Sequence, residues 1–347
     1  MGLLPGTTFA GRYEILEEIG KGGMGQVFRA RHTGLGCEVA LKVLGGFLSG
    51  AIDDGEARFE REARAIAKLD HPSCVRVLDY GRTRKHQYIA MQLIEGPTLA
   101  RLLKDQGRLP TARAVQITRN LLAALAHAHA RGVLHRDIKP ENVILSGANQ
   151  RAVLIDFGLA HLRDDAPLTA RGMCIGSPSY LAPERLDGNP HDTRADLYAV
   201  GVMLYEMLAG ERPFVGDSTA DILYRVREHE PRPLRALRGD VSVPLAEVVV
   251  RALAKSPRAR FATAEDMLAA LEDVPLLEEL AEQAERATRD EQVTTVALAE
   301  LVVYRPSWWS RLIAWLRFGR WRRRALDSVG GGTDPAHGAS GPAPVAR

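Results

Sequence analysis

Cysteine is scarce in this chain of 347 residues: Cys37, Cys74 and Cys174 stand far apart, and none belongs to a CxxC pair. That spacing argues against a disulfide framework and a zinc site, and it suits a reducing compartment. Cys37 and Cys74 lie in apolar, strand-like runs, where each is expected as a small core hydrophobe. No stretch of eighteen apolar residues occurs, so no membrane-spanning helix is expected. The opening MGLLPGTTFA lacks the basic start and the long apolar run of a signal peptide. Gly6 stands where a myristoylation motif built on Gly2 needs Ser or Thr. The expected location is cytoplasmic, with peripheral contact to a membrane left open. Net charge is only +3, which alone selects neither nucleic acid nor membrane.

What is present is a chain with 46% hydrophobic residues, enough for a sizeable core. Residues 12 to about 95 read mostly as strands: RYEILEEIG, GQVFRARH and CEVALKVL are short, apolar and divided by Gly or polar turns. One helix interrupts them, with Phe59, Ala63, Ile66 and Ala67 on one face. After Gly96 the pattern becomes helical. A long helix is expected from Thr111 as N-cap to a stop at Gly132, and others over 195–209, 218–229, 244–254 and 263–272. The fold class is therefore α+β with two lobes, a small β-rich one and a larger helical one, and the cleft between them is the expected ligand site.

HRDIKPEN, from His135 to Asn142, carries the chemistry. A carboxylate at Asp137 can orient a hydroxyl and take its proton. Lys139 can neutralise charge on a transferring group, and Asn142 can offer its carbonyl oxygen to a hard cation. These roles suit phosphoryl transfer, in which catalysis is mainly positioning and charge stabilisation. Such a site also needs a phosphate cradle, a cation, a second metal ligand and a place for the acceptor. GKGGMGQV supplies glycines at Gly20, Gly22 and Gly25, which let backbone N–H groups approach phosphates. A ligand-free hairpin gives the same pattern, but a strand follows the loop, which counts against a dinucleotide fold. Lys42, in the apolar VALKVL, needs a partner if buried, and Glu62 on the following helix is the candidate. Asp156 in VLIDFG ends an apolar strand and suits Mg²⁺, although a turn-capping Asp fits the same place.

Taken in order, these motifs resemble the eukaryotic-like (Hanks-type) Ser/Thr protein kinases of bacteria over residues 12–273. The resemblance implies an ATP- and Mg²⁺-dependent enzyme that phosphorylates Ser/Thr of proteins. Gly20, Lys21, Gly22, Gly23 and Gly25 would cover the ATP phosphates. Lys42, fixed by Glu62, would hold the α/β-phosphates. Asp137 would act as base, Lys139 would meet the γ-phosphate, and Asn142 and Asp156 would bind magnesium. Val27, Ala40 and Ile144 would sandwich adenine, with Met91 as gatekeeper and Gln92 to Ile94 as hinge. Gln92 departs from a more usual acid, and Ser177 from a more usual Thr, in a segment (SPSYLAPE) that resembles a substrate-docking element. Glu184 would pair with Arg260, Asp196 would brace the catalytic loop, and His135 would pack rather than ligate. His127 and His129 are read as helix packing. Thr169 is the expected activation-loop phosphosite, with Arg136 as receiver of its phosphate. A pseudokinase or scaffold is the alternative reading, and a small-molecule kinase is disfavoured by the docking segment.

Composition shifts after residue 273. Residues 274–304 read as an acidic helical linker, 305–326 as a basic aromatic amphipathic segment and 327–347 as a disordered tail. All four tryptophans, Trp308, Trp309, Trp315 and Trp321, fall in the basic segment. It suits a helix lying on an anionic membrane surface. Packing on the same chain or on a second copy, and nucleic-acid binding, remain open beside it.

Overall fold

The computed structural model describes residues 3–22, 25–44, 52–157, 178–188 and 192–274. The first lobe is a six-stranded antiparallel sheet in the order β1-β2-β3-β4-β6-β5. Its strands are β1 (Thr8–Phe9), β2 (Tyr13–Gly22), β3 (Gly25–His32), β4 (Glu38–Leu44), β5 (Val77–Arg82) and β6 (Gln87–Gln92), with helix α1 (Ile52–Ile66) between β4 and β5. Alternation along the strands sorts two faces. Phe28, Leu41, Val43, Tyr88 and Ala90 pack together with Tyr13 and Ile15 on one face. The registers Val27↔Lys42 and Ala40↔Met91 put those four residues on the other.

The second lobe begins with α2 (Leu99–Gln106) and α3 (Thr111–His129), followed by the hairpin β7 (Val143–Ser146) and β8 (Arg151–Leu154). Helices α4 (Pro183–Leu186), α5 (Thr193–Ala209), α6 (Thr219–Glu228), α7 (Leu234–Leu237), α8 (Val243–Ala252) and α9 (Ala264–Glu272) complete it. From Ala195 to Tyr205 every residue of α5 is buried, as befits a helix at the centre of a core. Helices α3, α8 and α9 pack around it. Among the described residues, no helix is long and apolar enough to cross a membrane.

Three local expectations need correction. Pro110, not Thr111, occupies the N-cap of α3, and no side-chain cap bond forms there. Proline has its φ fixed near the value this position takes, so Thr111 enters the first turn instead. Helix α3 ends at His129, and Gly132, expected as its stop, lies beyond it at φ +72° in the closing turn. Cys37 is exposed, since it precedes β4 and lies outside the sheet's alternating pattern. Cys74 is buried, and burial pushes its thiol up to about 12, which makes it inert at neutral pH.

Two glycines are required by close approach. A Cβ on Gly25 would lie 2.1 Å from the Val43 carbonyl oxygen, and one on Gly96 would lie 2.0 Å from that of Leu145. Gly96 also has φ +143°, so the chain passes between the lobes in a conformation that side chains rarely adopt. Gly96→Ala is expected to destabilise the fold by about 2 kcal/mol or more. Gly22→Ala, with nothing within 4 Å of its added Cβ, is expected to stay within about 0.5 kcal/mol of the parent. Urea denaturation of the two variants side by side checks this.

Candidate active site

The loop between α3 and β7 carries His135, Arg136, Asp137 and Lys139, and a 3₁₀ turn, Pro140–Asn142, closes it. One Asp137 carboxylate oxygen, Oδ2, accepts from Lys139 Nζ at 2.7 Å and from Asn142 Nδ2 at 3.0 Å. Asn142 Nδ2 also donates to the Asp137 carbonyl at 2.7 Å. The amide nitrogen is therefore committed inside the loop, and Oδ1 is the atom Asn142 can offer elsewhere.

Asp196, in the first turn of α5 and 1% exposed, anchors this loop. Its Oδ2 accepts from the His135 amide and its Oδ1 from the Arg136 amide, both at 2.9 Å. His129 Nε2 donates to the same carboxylate at 2.9 Å, while its Nδ1 is buried without a partner. The loop is strained, because Arg136 sits at φ +68°. Asp196 thus holds a backbone conformation that would otherwise be unfavourable.

His135 is fully buried and packs on Phe157, with ring centroids 4.8 Å apart. Its Nε2 donates to the Ile155 carbonyl at 2.8 Å, and its Nδ1 accepts from the Asp137 amide at 3.3 Å. One donor and one acceptor define a neutral ring, and burial holds its pKa below the ordinary 6.5. The histidine links the loop of Asp137 to the residue that precedes Asp156.

Asp156 follows β8 in a left-handed conformation, φ +65°. Across the cleft, Lys42 Nζ lies 2.8 Å from its Oδ2, and the lysine is only 6% exposed. The sequence pointed to Glu62 as the partner of Lys42, but the structure gives that place to Asp156. Glu62 Oε1 lies 3.7 Å from the Arg136 guanidinium. The physical reason is proximity: a buried ammonium takes the carboxylate nearest to it, here one just beyond β8 of the second, two-stranded sheet.

Val27 and Ala40 are half-buried on the cleft face of the sheet, Met91 is buried beside Ala40, and Ile144 lies on β7 below. Gly20 is the cross-strand neighbour of Val27, and Lys21 that of Gln26. Gln92 is exposed and donates its amide to the Arg76 carbonyl at 2.9 Å, which fixes the start of the 92–96 segment. Ile94 packs half-buried against the main core. Glu184 and Arg260 form two hydrogen bonds, at 2.8 and 2.7 Å, and Arg260 also donates to the Ala254, Arg194 and Lys255 carbonyls. Tyr180 donates to Glu206, a carboxyl raised by burial above its usual range. Gly23, Thr169, Cys174, Ser177 and the segments beyond residue 274 lie outside the described residues.

A site with this arrangement can hold a hydroxyl at Asp137, offer cations at Lys42 and Lys139, and present oxygen ligands at Asn142 and Asp156. The family described as the protein kinase domain matches residues 13–270. The chain belongs to that family. It resembles the serine/threonine-protein kinase pkn3 of Myxococcus xanthus, 39% identical over 279 residues, which cover 78% of this chain and 51% of that protein. The probable serine/threonine-protein kinase PknB of Lactococcus lactis is 35% identical over 86% of this chain and 47% of its own length. For PknD of Mycobacterium tuberculosis the values are 39%, 76% and 40%. This kinase-family chain therefore spans about half the length of the curated relatives it matches, or less. Within the site, sequence reading missed the bond from His129 to Asp196 and the requirement for Gly96. The HAHA pattern carries no mark of the first, and only backbone geometry reveals the second.

Among the described residues, three histidines are held below the ordinary imidazole pKa of 6.5. Burial is the largest cause at His71, His127 and His135; His127 also lowers His71, and Arg131 lowers His127. Below about 6.5 the unfolded chain takes up protons that the folded rings resist, so the stability present above that pH is lost as pH falls. Denaturant midpoints are expected to decline from pH 7 to pH 5. His127→Gln, which keeps an acceptor for the Asp70 amide, is expected to show a shallower decline.

Proposed function

We propose that the chain is a serine/threonine protein kinase that transfers the γ-phosphate of Mg·ATP to protein hydroxyls. The observation that carries this reading is the convergence of Lys139 and Asn142 on one oxygen of Asp137, 2.7 and 3.0 Å away. Asp137 accepts the proton of the Ser or Thr hydroxyl as its oxygen attacks the γ-phosphorus. The bond to the ADP oxygen breaks, and ADP leaves. Lys139 steadies charge on the transferring group, and Lys42 steadies the phosphates that remain. Val27, Ala40, Ile144 and Met91 offer an apolar slot for adenine, and Gly20 to Gly25 a cover for the phosphates.

The donor set fits magnesium: Asn142 keeps Oδ1 available, Asp156 supplies a carboxylate, and hard oxygen ligands are what this ion takes. When bound, the ion would neutralise phosphate charge. Arg136 Nε is buried without a partner, which supports its reading as receiver of a phosphate on Thr169. In this reading Ser177 contacts Asp137 and Lys139 from the docking segment.

Radiolabel transfer to a generic protein and to the chain itself tests the proposal. Asp137→Asn is expected to reduce it by about 10²-fold or more, and Thr169→Ala to remove the early rise in rate that autophosphorylation brings. Equal transfer by parent and Asp137→Asn would leave a nucleotide-binding scaffold as the function.

The tryptophan-rich segment 305–324 supports a second site of action, the surface of an anionic membrane. Its arginines follow an aromatic and apolar face with no acid between Arg305 and Arg324. Because every tryptophan lies there, emission of the full chain reports on it alone. A blue shift with anionic vesicles, reversed by salt, is expected. An unchanged blue spectrum would assign the segment to packing on protein, and an unchanged red one would leave it in water.

A further inference from the structure

Beside the hinge, three segments line a cavity of about 540 Å³ that is open to solvent, with Asp70, Arg76, Asn149 and Arg151 exposed on its walls. The loop after α1 contributes Asp70, His71 and Arg76, the hinge contributes Gln92, and the β7–β8 turn contributes Asn149 and Arg151. Lys42, Asp137, Asn142 and Asp156 do not line it. The volume is that of a small-molecule site.

Its walls are charged in an uneven way. Arg76 is paired with Asp70. Arg151 forms no ion pair among the described residues, although it is close enough to His71 to depress that ring's pKa. His71 Nδ1 accepts from the Ser73 amide at 3.1 Å, so the neutral ring carries its proton on Nε2 and has that donor to offer. Two guanidinium groups, one carboxylate and an imidazole donor leave an excess of positive charge and N–H groups. An apolar ligand would desolvate Arg151 without replacing its water, and a cation would be repelled. A ligand carrying oxyanions satisfies both Arg151 and the ring donor, and guanidinium groups recognise carboxylate and phosphate through paired N–H bonds.

We propose that this cavity is a binding site for a compact oxyanion, a di- or tricarboxylate or a phosphorylated small molecule, with Arg151 as its principal counter-charge. The ligand would touch both lobes at once. Arg76 precedes β5, and its carbonyl holds the Gln92 amide at 2.9 Å, whereas Arg151 opens β8.

The test is calorimetric titration of the full chain with citrate in one arm and inorganic phosphate in the other, at constant ionic strength and without nucleotide. The two arms separate carboxylate from phosphate chemistry. Saturable binding at one site is expected in at least one arm. Arg151→Ala is expected to weaken it about tenfold or more. Asn149→Asp, which adds a negative charge to the wall without touching the β8 ladder, should do the same. Lys42→Ala controls for anions captured by the phosphate cradle and is expected to bind as the parent does. Failure of both anions to saturate, parental affinity in Arg151→Ala, or loss of binding in Lys42→Ala would each overturn the proposal.

Discussion

The carboxylate of Asp196 accepts the amides of two consecutive residues, His135 and Arg136, and through them fixes the loop that bears Asp137, Lys139 and Asn142. A charge with 1% exposure is tolerated only where donors replace water. Here the donors include those two amides and His129 Nε2. Its position in the first turn of α5 adds the favourable end of a helix dipole. Because α5 is buried on nearly all sides, the carboxylate cannot drift. The rigidity of the deepest helix is passed directly to backbone that is itself in an unfavourable conformation at Arg136.

Two ion pairs in this fold show how surroundings decide what a pair is for. Arg260 has a side chain with 0% exposure, a bidentate carboxylate in Glu184 and three carbonyl acceptors, so every donor direction is used. Removing either partner would strand a buried charge, and nothing at the site could take its place. Lys42 and Asp156 meet through one contact, and the carboxylate side chain keeps 23% exposure. A single contact at the edge of a cleft leaves both groups able to take other partners. The proposed roles, a lysine on phosphate and an aspartate on metal, would need that freedom, whereas the first pair has no direction left for another partner.

The candidate site residues were legible because they are close in sequence or end a recognisable run. Asp137, Lys139 and Asn142 share eight residues, and Asp156 closes an apolar strand. Alternation in VALKVL placed Ala40 and Lys42 on one face, and the registers of β3, β4 and β6 put them there. What the sequence hid depends on distances between remote segments. Whether Lys42 meets Glu62 or Asp156 is set by where α1 and β8 lie, not by spacing along the chain. Cys37 resembled a core residue because apolar neighbours follow it, yet it falls just before the strand begins. Thr111 looked like a cap because its hydroxyl suits one, while the fixed φ of Pro110 took the position. His129 carries no pattern that tells a core imidazole from one bonded to Asp196.

The division into lobes is not the division into cores. Phe28, Leu41, Val43, Tyr88 and their neighbours form a cluster confined to the far face of the sheet. Phe59, Ala63 and Ile66 of α1, with Ile89 and Met91 of β6, belong instead to the cluster that contains α3, β7, α5 and Phe157. Apolar packing thus runs continuously from the first lobe to the second through Leu69, Cys74 and Val75, reinforced where Val75 and Ser73 exchange backbone bonds with Leu154. Close-packed interiors transmit position faithfully. Asp156 comes two residues after Leu154, and Lys42 lies on a strand beside β6. The charged groups therefore stand at the rim of a shared core, and their separation is set by packing that neither lobe could supply alone.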